Sequence, residues 1–490
     1  MTSANASSNM NGANATARTT TAAGASTAAG TPQAASAPAA APTPVPRVPK
    51  RVAAVILNSL KGGVVPRIGL PYITVGRETE IRALLTDLEL IREGGASFRF
   101  LVGRYGAGKS FLLQTIRTHA MGENYVVADA DLSPERRLQG GQGQGLATYR
   151  ELIRNLSTKT RPEGGALGLV LDRWVAALEN APEPDAACRE QLGSLEELVH
   201  GFDFSRLLIR YRQASREGDE EAKANVQRWL RGEYRTKTEA RRDLGVTAIV
   251  TDDDWYDYVK LLAAFLVGAG YNGLLVLIDE LVNLYKIPNA ITRQYNYEKI
   301  LQMYNDTLQG KARHLGIIMG GTPTSIEDRR RGVFSYEALR SRLTQGRFAT
   351  EGMRDMLAPI IRLHPLTYEE LLVLIEKLAQ IHAGYFGYEV RLSEADLVEF
   401  LKIEFSRVGA DTHLTPREVI RDFIELLDIM FQNPGTGMAE LLAAQGDGGA
   451  GAATGARADI EPDAAATGPA ATVVPAAQAP ASRDFSGFKL

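Results

Sequence analysis

The chain has 490 residues, 55 Lys and Arg against 58 Asp and Glu for a formal net charge of −3, and one cysteine, Cys188. That balance excludes a strongly basic nucleic-acid coat as the dominant feature while leaving local patches open. A single thiol excludes an internal disulfide or a thiolate metal cluster, which suits a reducing cytoplasm. Residues 1–49 and 435–490 are so rich in Ala, Thr, Ser, Gly and Pro that they hold too little apolar surface to offset chain entropy, and both are expected to be disordered tails. The N-terminal stretch has no apolar signal-like core, and no run is long enough to span a bilayer, so a soluble cytoplasmic protein without membrane contact is expected.

In chain order, the apolar segment 52–60 is followed by Val75-Gly76-Arg77-Glu78 and by Ile81, Leu84, Leu85, Leu88 and Ile91 at helical spacing, ended by Gly94-Gly95. Residues 98–102 read as a strand. Gly103, Arg104, Tyr105, Gly106, Ala107, Gly108, Lys109 and Ser110 fit the phosphate-loop pattern G-x-x-x-x-G-K-[ST] at every fixed position, and Phe111, Leu112, Leu113 and Ile116 then open a helix. The glycines allow backbone angles that turn successive N–H groups around an anion, and the helix N-terminus adds partial positive charge. Lys109 reaches the outer phosphates and the Ser110 hydroxyl suits the magnesium that accompanies them, so ATP and Mg2+ are the expected cofactors. A glycine-rich turn that merely contains Lys-Ser is the bland alternative; the strand before and helix after it argue against that.

Residues 125–131 read as a second buried strand ending in acids. The stretch from about 132 to 254 is too long for a structureless loop, and 148–156, 167–178 and 204–211 have amphipathic helical spacing. A helical insertion projecting from the core is therefore expected. Its cations (Arg206, Arg210, Arg212, Arg228, Arg231, Arg235, Lys237, Arg241 and Arg242) suit DNA or an acidic partner, but interleaved Asp and Glu make a solvated face the plainer reading. Asp252-Asp253-Asp254 precedes an apolar helix and is expected to cap it rather than bind metal.

Leu274-Leu275-Val276-Leu277-Ile278-Asp279-Glu280 is a strand buried on both faces that delivers two carboxylates at its C-terminal edge. Asp279 is placed to hold magnesium and Glu280 to polarise the water that attacks the γ-phosphate. Residues 314–321 and 360–363 supply two further strands, giving an α/β fold with a five-stranded parallel sheet. Thr322 and Thr324 flank Pro323, where a turn role is equally open. Thr367 with Glu370, and Thr415 with Glu418, have capping-box spacing before apolar helical stripes, and Pro416 fits a first helical position. Arg417 then sits in a first turn, where the helix dipole opposes a cation, which suggests a purpose other than helix stability.

Together these motifs resemble the AAA+ superfamily of P-loop ATPases, and the sequence is similar to the ATP-binding proteins of BREX-type phage-defence clusters, the BrxD-like family. The resemblance implies a nucleotide-binding domain over 50–364 with the insertion at about 132–254, and a helical lid over 365–434. It implies that Val75, Gly76 and Arg77 lie beside the adenine, with Phe111 closing the phosphate-loop set. It further implies that Thr322, or else Thr324, is sensor 1, that Arg340 or Arg342 is an arginine finger given to a neighbour, and that Arg417 is sensor 2. Arg340 and Arg342 read equally as surface charge or as phosphate-backbone contacts. Family members are encoded beside a large Lhr-like helicase, which implies a helicase partner, a DNA-linked role and self-association on ATP. Two functional classes follow: a hydrolysing ATPase that drives or regulates a helicase-linked complex, or a slowly hydrolysing switch that recruits partners. Glu280 favours the first.

Overall fold

The computed structural model describes residues 48–344, 346, 354–407 and 415–447. The parts of the two expected tails at 1–47 and 448–490 lie outside the described residues. Strands β1 (Ala96–Val102), β2 (Val126–Asp131), β3 (Leu274–Asp279), β4 (Leu315–Gly321) and β5 (Ile360–Arg362) form one sheet in the order β2-β3-β4-β1-β5. All pairings are parallel. The register aligns Val102 with Gly321, Ile278 with Met319 and Asp131 with Asp279, so the C-terminal ends of four strands share one edge.

Alternation along the strands decides what covers each face. Phe98, Phe100, Val126, Ala128, Leu274, Val276, Ile317 and Met319 enter one apolar cluster, whereas Leu101, Val127, Leu275, Leu277 and Ile318 enter another. The second is closed by helices Glu78–Arg92 and Lys109–Gly122. The first is closed by helices Gln144–Arg154, Trp255–Gly268 and Ala290–Leu308, and the later helices of the insertion pack against these, with Trp174 on Phe265 and Trp229 on Tyr258. The insertion therefore reaches the sheet through its first helix and shares one continuous core with it, while its later helices pack on that layer and not on the strands. Helical periodicity reveals an apolar stripe but not which surface it meets.

Acids within the insertion answer most of its cations. Arg212 pairs with Glu179 and Asp185, Arg210 with Asp219, Arg228 with Glu239, and Arg242 with Asp243. The Asp252–Asp254 run behaves differently from a simple cap. Asp254 stands at the N-cap of Trp255–Gly268, but its carboxylate accepts from the Thr251 backbone and hydroxyl, while Asp252 accepts from Leu146 N–H and Asp253 from Gln139. Each acid ties a different segment to the helix start.

The C-terminal helices Tyr368–Phe386 and Pro416–Gln432 both begin with the expected capping boxes, Thr367 with Glu370 and Thr415 with Glu418. They share a third apolar cluster with the first helix of the chain, Lys50–Lys61, which buries Ala53, Ile56 and Leu57 there. Lys61 bridges to Asp428 at 2.5 Å, and Asp428 also meets the buried His382 ring at 3.0 Å. Burial lowers the His382 pKa, opposed by Asp428. The boundary at 435 is corrected by helix Met438–Asp447, whose Met438 and Leu442 are buried in the same cluster. Composition averaged over an Ala- and Gly-rich stretch hid Met438, Leu441 and Leu442, which have helical spacing. Cys188 is buried in the insertion. Among the described residues no helix is long and apolar enough to cross a membrane.

The sheet is pinned on its second face by Arg99 of β1, whose fork makes two 2.7 Å bonds to Asp87 and donates to the Leu357 and Ala358 carbonyls before β5. Asp87→Ala leaves that buried guanidinium without its counter-charge and is expected to cost about 3 kcal/mol, read as a lower urea midpoint, with Asp87→Asn recovering part of the loss.

Candidate nucleotide site

The loop between β1 and helix Lys109–Gly122 takes its shape from two glycines in the left-handed region, Gly106 (φ 74°) and Gly108 (φ 92°). At Gly106 the absent side chain also makes room for the C-terminal helices, because a Cβ there would lie 2.7 Å from that of Thr415. Gly103 N–H donates to the Gly321 carbonyl at 3.1 Å and fixes the start of the loop to the end of β4. Lys109 Nζ donates to the Gly103 and Arg104 carbonyls at 3.0 and 3.1 Å, and it lies 5.4 Å from the Tyr105 ring centroid. Burial lowers the Lys109 pKa, against the pull of Asp279 and Glu280.

Ser110 Oγ donates to Asp279 Oδ2 at 3.0 Å, so the loop and the end of β3 meet through the two residues expected to handle magnesium. Asp279 Oδ1 accepts the Glu280 N–H at 2.8 Å. A Cβ at Gly320 of β4 would stand 2.2 Å from that same oxygen, which makes glycine the residue that fits. Glu280 leaves the strand with φ 62°, a left-handed conformation uncommon for a side-chain-bearing residue and typical of places where surrounding structure over-determines the backbone. It lines the same pocket as Lys109 and Ser110. Burial, and then Asp279, push its carboxyl above the ordinary range, with Lys109 opposing.

The apolar part of the pocket comes from four segments. Ile73 and Val75 precede the helix Glu78–Arg92, and Phe111 follows the loop. Leu366, Leu374 and Ile420 come from the C-terminal helices and their approach. Leu60, Val64 and Val65 come from the end of the first helix and the turn after it. Sequence reasoning gave this last segment no role. Its signal was a Val-Val pair after Lys-Gly-Gly, outside any periodic stretch, with Val64 59% exposed.

The sequence-derived residues separate into two groups. Val75, Arg77, Tyr105, Gly106, Ala107, Gly108, Lys109, Ser110, Phe111, Glu280 and Arg417 line one pocket. Gly76 stands behind it at φ 65°, where a Cβ would run into the Glu370 carboxylate at 2.3 Å. Arg77 is buried, and its guanidinium donates to the Ala107 carbonyl of the phosphate loop at 3.1 Å and to the His364 carbonyl after β5 at 2.9 Å. Burial lowers its pKa, and Glu80 and Glu370 oppose that. Thr322 and Thr324 do not line the pocket; Thr322 caps the helix Pro323–Glu327 and accepts from Ser325 N–H at 3.2 Å. Arg340 and Arg342 also lie elsewhere, on helix Glu337–Leu343, where Arg340 pairs with Glu337 and Arg342 donates to the Ala338 carbonyl.

Residues 48–445 match the family described as BREX system ATP-binding protein BrxC/D. The chain belongs to that family. The match spans the phosphate loop, the β3 carboxylates, the insertion and the C-terminal helices, and the family is one of ATP-binding proteins. Among curated proteins none matches the sequence. Among solved structures, the ORC2 protein of Aeropyrum pernix, determined as ADPNP–ADP complexes, is similar at 14% identity and a TM-score of 0.28, covering 71% of this chain and 67% of that one.

Arg77 gives this BrxC/D chain a test of how the pocket is held. Arg77→Ala strands two carbonyls, one of them in the phosphate loop, and is expected to lower the melting temperature and weaken ATP binding about tenfold by calorimetry. Arg77→Lys should recover little, since one ammonium does not reproduce a planar fork.

Proposed function

We propose that this BrxC/D protein hydrolyses ATP with Mg2+, and that turnover drives or regulates a helicase-linked, DNA-processing complex in bacterial anti-phage defence. The observation that carries the reading is the convergence of Ser110, Asp279 and the backbone-constrained Glu280 on the pocket of Lys109. Ser110 and Asp279 offer a hydroxyl and a carboxylate at hydrogen-bond distance, an oxygen donor pair that suits magnesium, and they are the residues assigned to it. When bound, the ion neutralises charge on the β- and γ-phosphates.

Lys109 exchanges its loop carbonyls for the outer phosphates. Glu280 accepts the proton of the attacking water as its oxygen bonds to the γ-phosphorus, and the bond from that phosphorus to the β–γ bridging oxygen breaks, with ADP leaving. Arg417 stands across the pocket from the loop, its aliphatic stem against the turn at Gly63, which supports its assignment as the reporter of the γ-phosphate to the C-terminal helices. Arg340 and Arg342, on a helix away from this pocket, support a finger supplied to a neighbouring copy when ATP promotes self-association. DNA, an Lhr-like helicase and a cytoplasmic location complete the reading by family likeness.

Lys109→Ala is expected to lose ATP binding. Glu280→Gln should bind ATP as the wild type does while its steady-state phosphate release falls on the order of a hundredfold or more. Equal release rates for Glu280→Gln and wild type, measured with and without DNA, would leave a nucleotide-dependent recruiting switch in place of a hydrolase.

A further inference from the structure

A groove on the insertion gathers Arg136, Arg150, Arg154, Arg161 and Arg231. Two of them are answered by acids in the groove: Arg154 pairs with Glu151, and Arg231 lies 3.8 Å from Glu233. The remaining acid, Glu135, accepts from the Ser133 hydroxyl. Arg136, Arg150 and Arg161 differ in kind. Each donates its Nε to a backbone carbonyl, of Asp131, Gly232 and Gly164, at 2.9, 2.8 and 3.1 Å. None of the three has a carboxylate within 4.0 Å among the described residues. An arginine anchored through Nε keeps its fork oriented while the terminal nitrogens remain available, which is the donor geometry that fits phosphate.

Arg150 also lines an adjoining groove that contains Tyr295, 53% exposed on helix Ala290–Leu308. Asp252 and Asp253 lie there too and keep their charge while accepting from Leu146 N–H and from Gln139, so this second groove offers a stacking ring and not further phosphate contacts. Three cations without a carboxylate within 4.0 Å, of which Arg136 still acts on Asp131 and Glu135 at longer range, thus lie in one groove that adjoins an exposed aromatic ring through Arg150. That pairing tracks a phosphate backbone and stacks an unpaired base.

We propose that these adjoining grooves bind single-stranded nucleic acid, with phosphates on Arg136, Arg150 and Arg161 and a base on Tyr295. A duplex keeps its bases stacked internally and leaves Tyr295 unused. The choice of nucleic acid over another polyanion rests on the DNA-linked reading above. Arg136 connects the groove to the ATP site, because the carbonyl it holds belongs to Asp131, which is paired in register with Asp279.

The test is fluorescence anisotropy of the full chain with labelled oligo-dT, oligo-U and duplex DNA of equal length between 50 and 200 mM salt. Oligo-dT is expected to bind at least tenfold more tightly than duplex. Changing Arg136, Arg150 and Arg161 together to Ala should flatten the log–log salt slope by about two, at about 0.7 per phosphate contact. Tyr295→Ala should weaken binding about tenfold at an unchanged slope. Arg161→Glu changes an exposed side chain with only a local bond to Gly164, so its expected loss of affinity does not depend on whether the triple variant folds. Tighter binding of oligo-U than oligo-dT keeps the grooves and makes RNA the ligand. Wild-type affinity and slope in both arginine variants, or duplex binding equal to oligo-dT with Tyr295→Ala silent, overturns the proposal. ATP titrated into the same variants should bind as to wild type, so failure of the grooves leaves the ATP site standing, and failure of Lys109 dependence leaves the grooves standing.

Discussion

The bond from Ser110 Oγ to Asp279 Oδ2 is where the architecture becomes a site. Asp279 ends β3 and Ser110 opens the helix that the phosphate loop joins to β1, so the 3.0 Å length depends on the parallel register of β1 and β3 on either side of β4. Gly320 on that central strand leaves the space in which the Asp279 carboxylate turns, and Gly321 receives the first N–H of the phosphate loop. A slip of one residue in any of these pairings would send Asp279 to the other face of the sheet. The burial of both faces prevents it, since each strand presents one set of side chains to the insertion and the opposite set to the helices flanking the loop.

Much of this was legible because it is local. The phosphate loop, the aliphatic run ending in Asp279 and Glu280, and the capping boxes at Thr367 and Thr415 are each written within eight residues, and their geometry follows from residue type and spacing. That the strands are parallel also follows, because helices separate them, whereas their order does not. What escaped was set by long-range packing. Arg77 was expected beside a base by resemblance and does line the pocket, but the two carbonyls its guanidinium holds, one of them 287 residues away, were not legible. The first helix lies at the N-terminal end of the nucleotide-binding range but buries its apolar side against helices some 320 to 370 residues later, about as far as Lys61 is from Asp428 (|i−j| = 367). No periodicity encodes such a partner.

Thr322 shows a different limit. Its position after β4 agreed with two roles, and the capping interaction with Ser325 accounts for a threonine before Pro323 on local grounds. The insertion taught the same lesson at larger scale: amphipathic helices were readable, but an apolar stripe is equally satisfied by a separate core or by a sheet face. Trp174 and Trp229 pack against Phe265 and Tyr258 of the helix that lies on the sheet, so the insertion extends the sheet's core through that helix. The Ala-rich chain after 434 misled in the opposite sense, because a short helix needs only Met438 and Leu442 to dock onto a surface already formed.

The placement of the first helix bears on how the pocket responds to its ligand. Helix Lys50–Lys61 ends in Leu60 and the turn that forms one apolar wall, while Arg417 begins helix Pro416–Gln432 on the same side. The two helices are joined by a shared apolar cluster and by Lys61, Asp428 and His382, the last fully buried between them. Close-packed helices joined in this way move together or pay in exposed apolar area and an unpaired charge. A displacement that carries Arg417 toward or away from the phosphate loop therefore carries Leu60, Val64 and Val65 with it. The apolar wall at Leu60, Val64 and Val65 and the Arg417 side chain of the same pocket thus belong to one body, although 351 residues of sequence lie between Val65 and Arg417. Arg77 holds the opposite jaw, tying the loop carbonyl of Ala107 to His364 just before those helices begin. Such a motion bends the chain at two places: between His364 and Thr367, fixed to the loop at one end and to a helix cap at the other, and between Val65 and Arg77, which joins the first helix to the side chain that holds the loop.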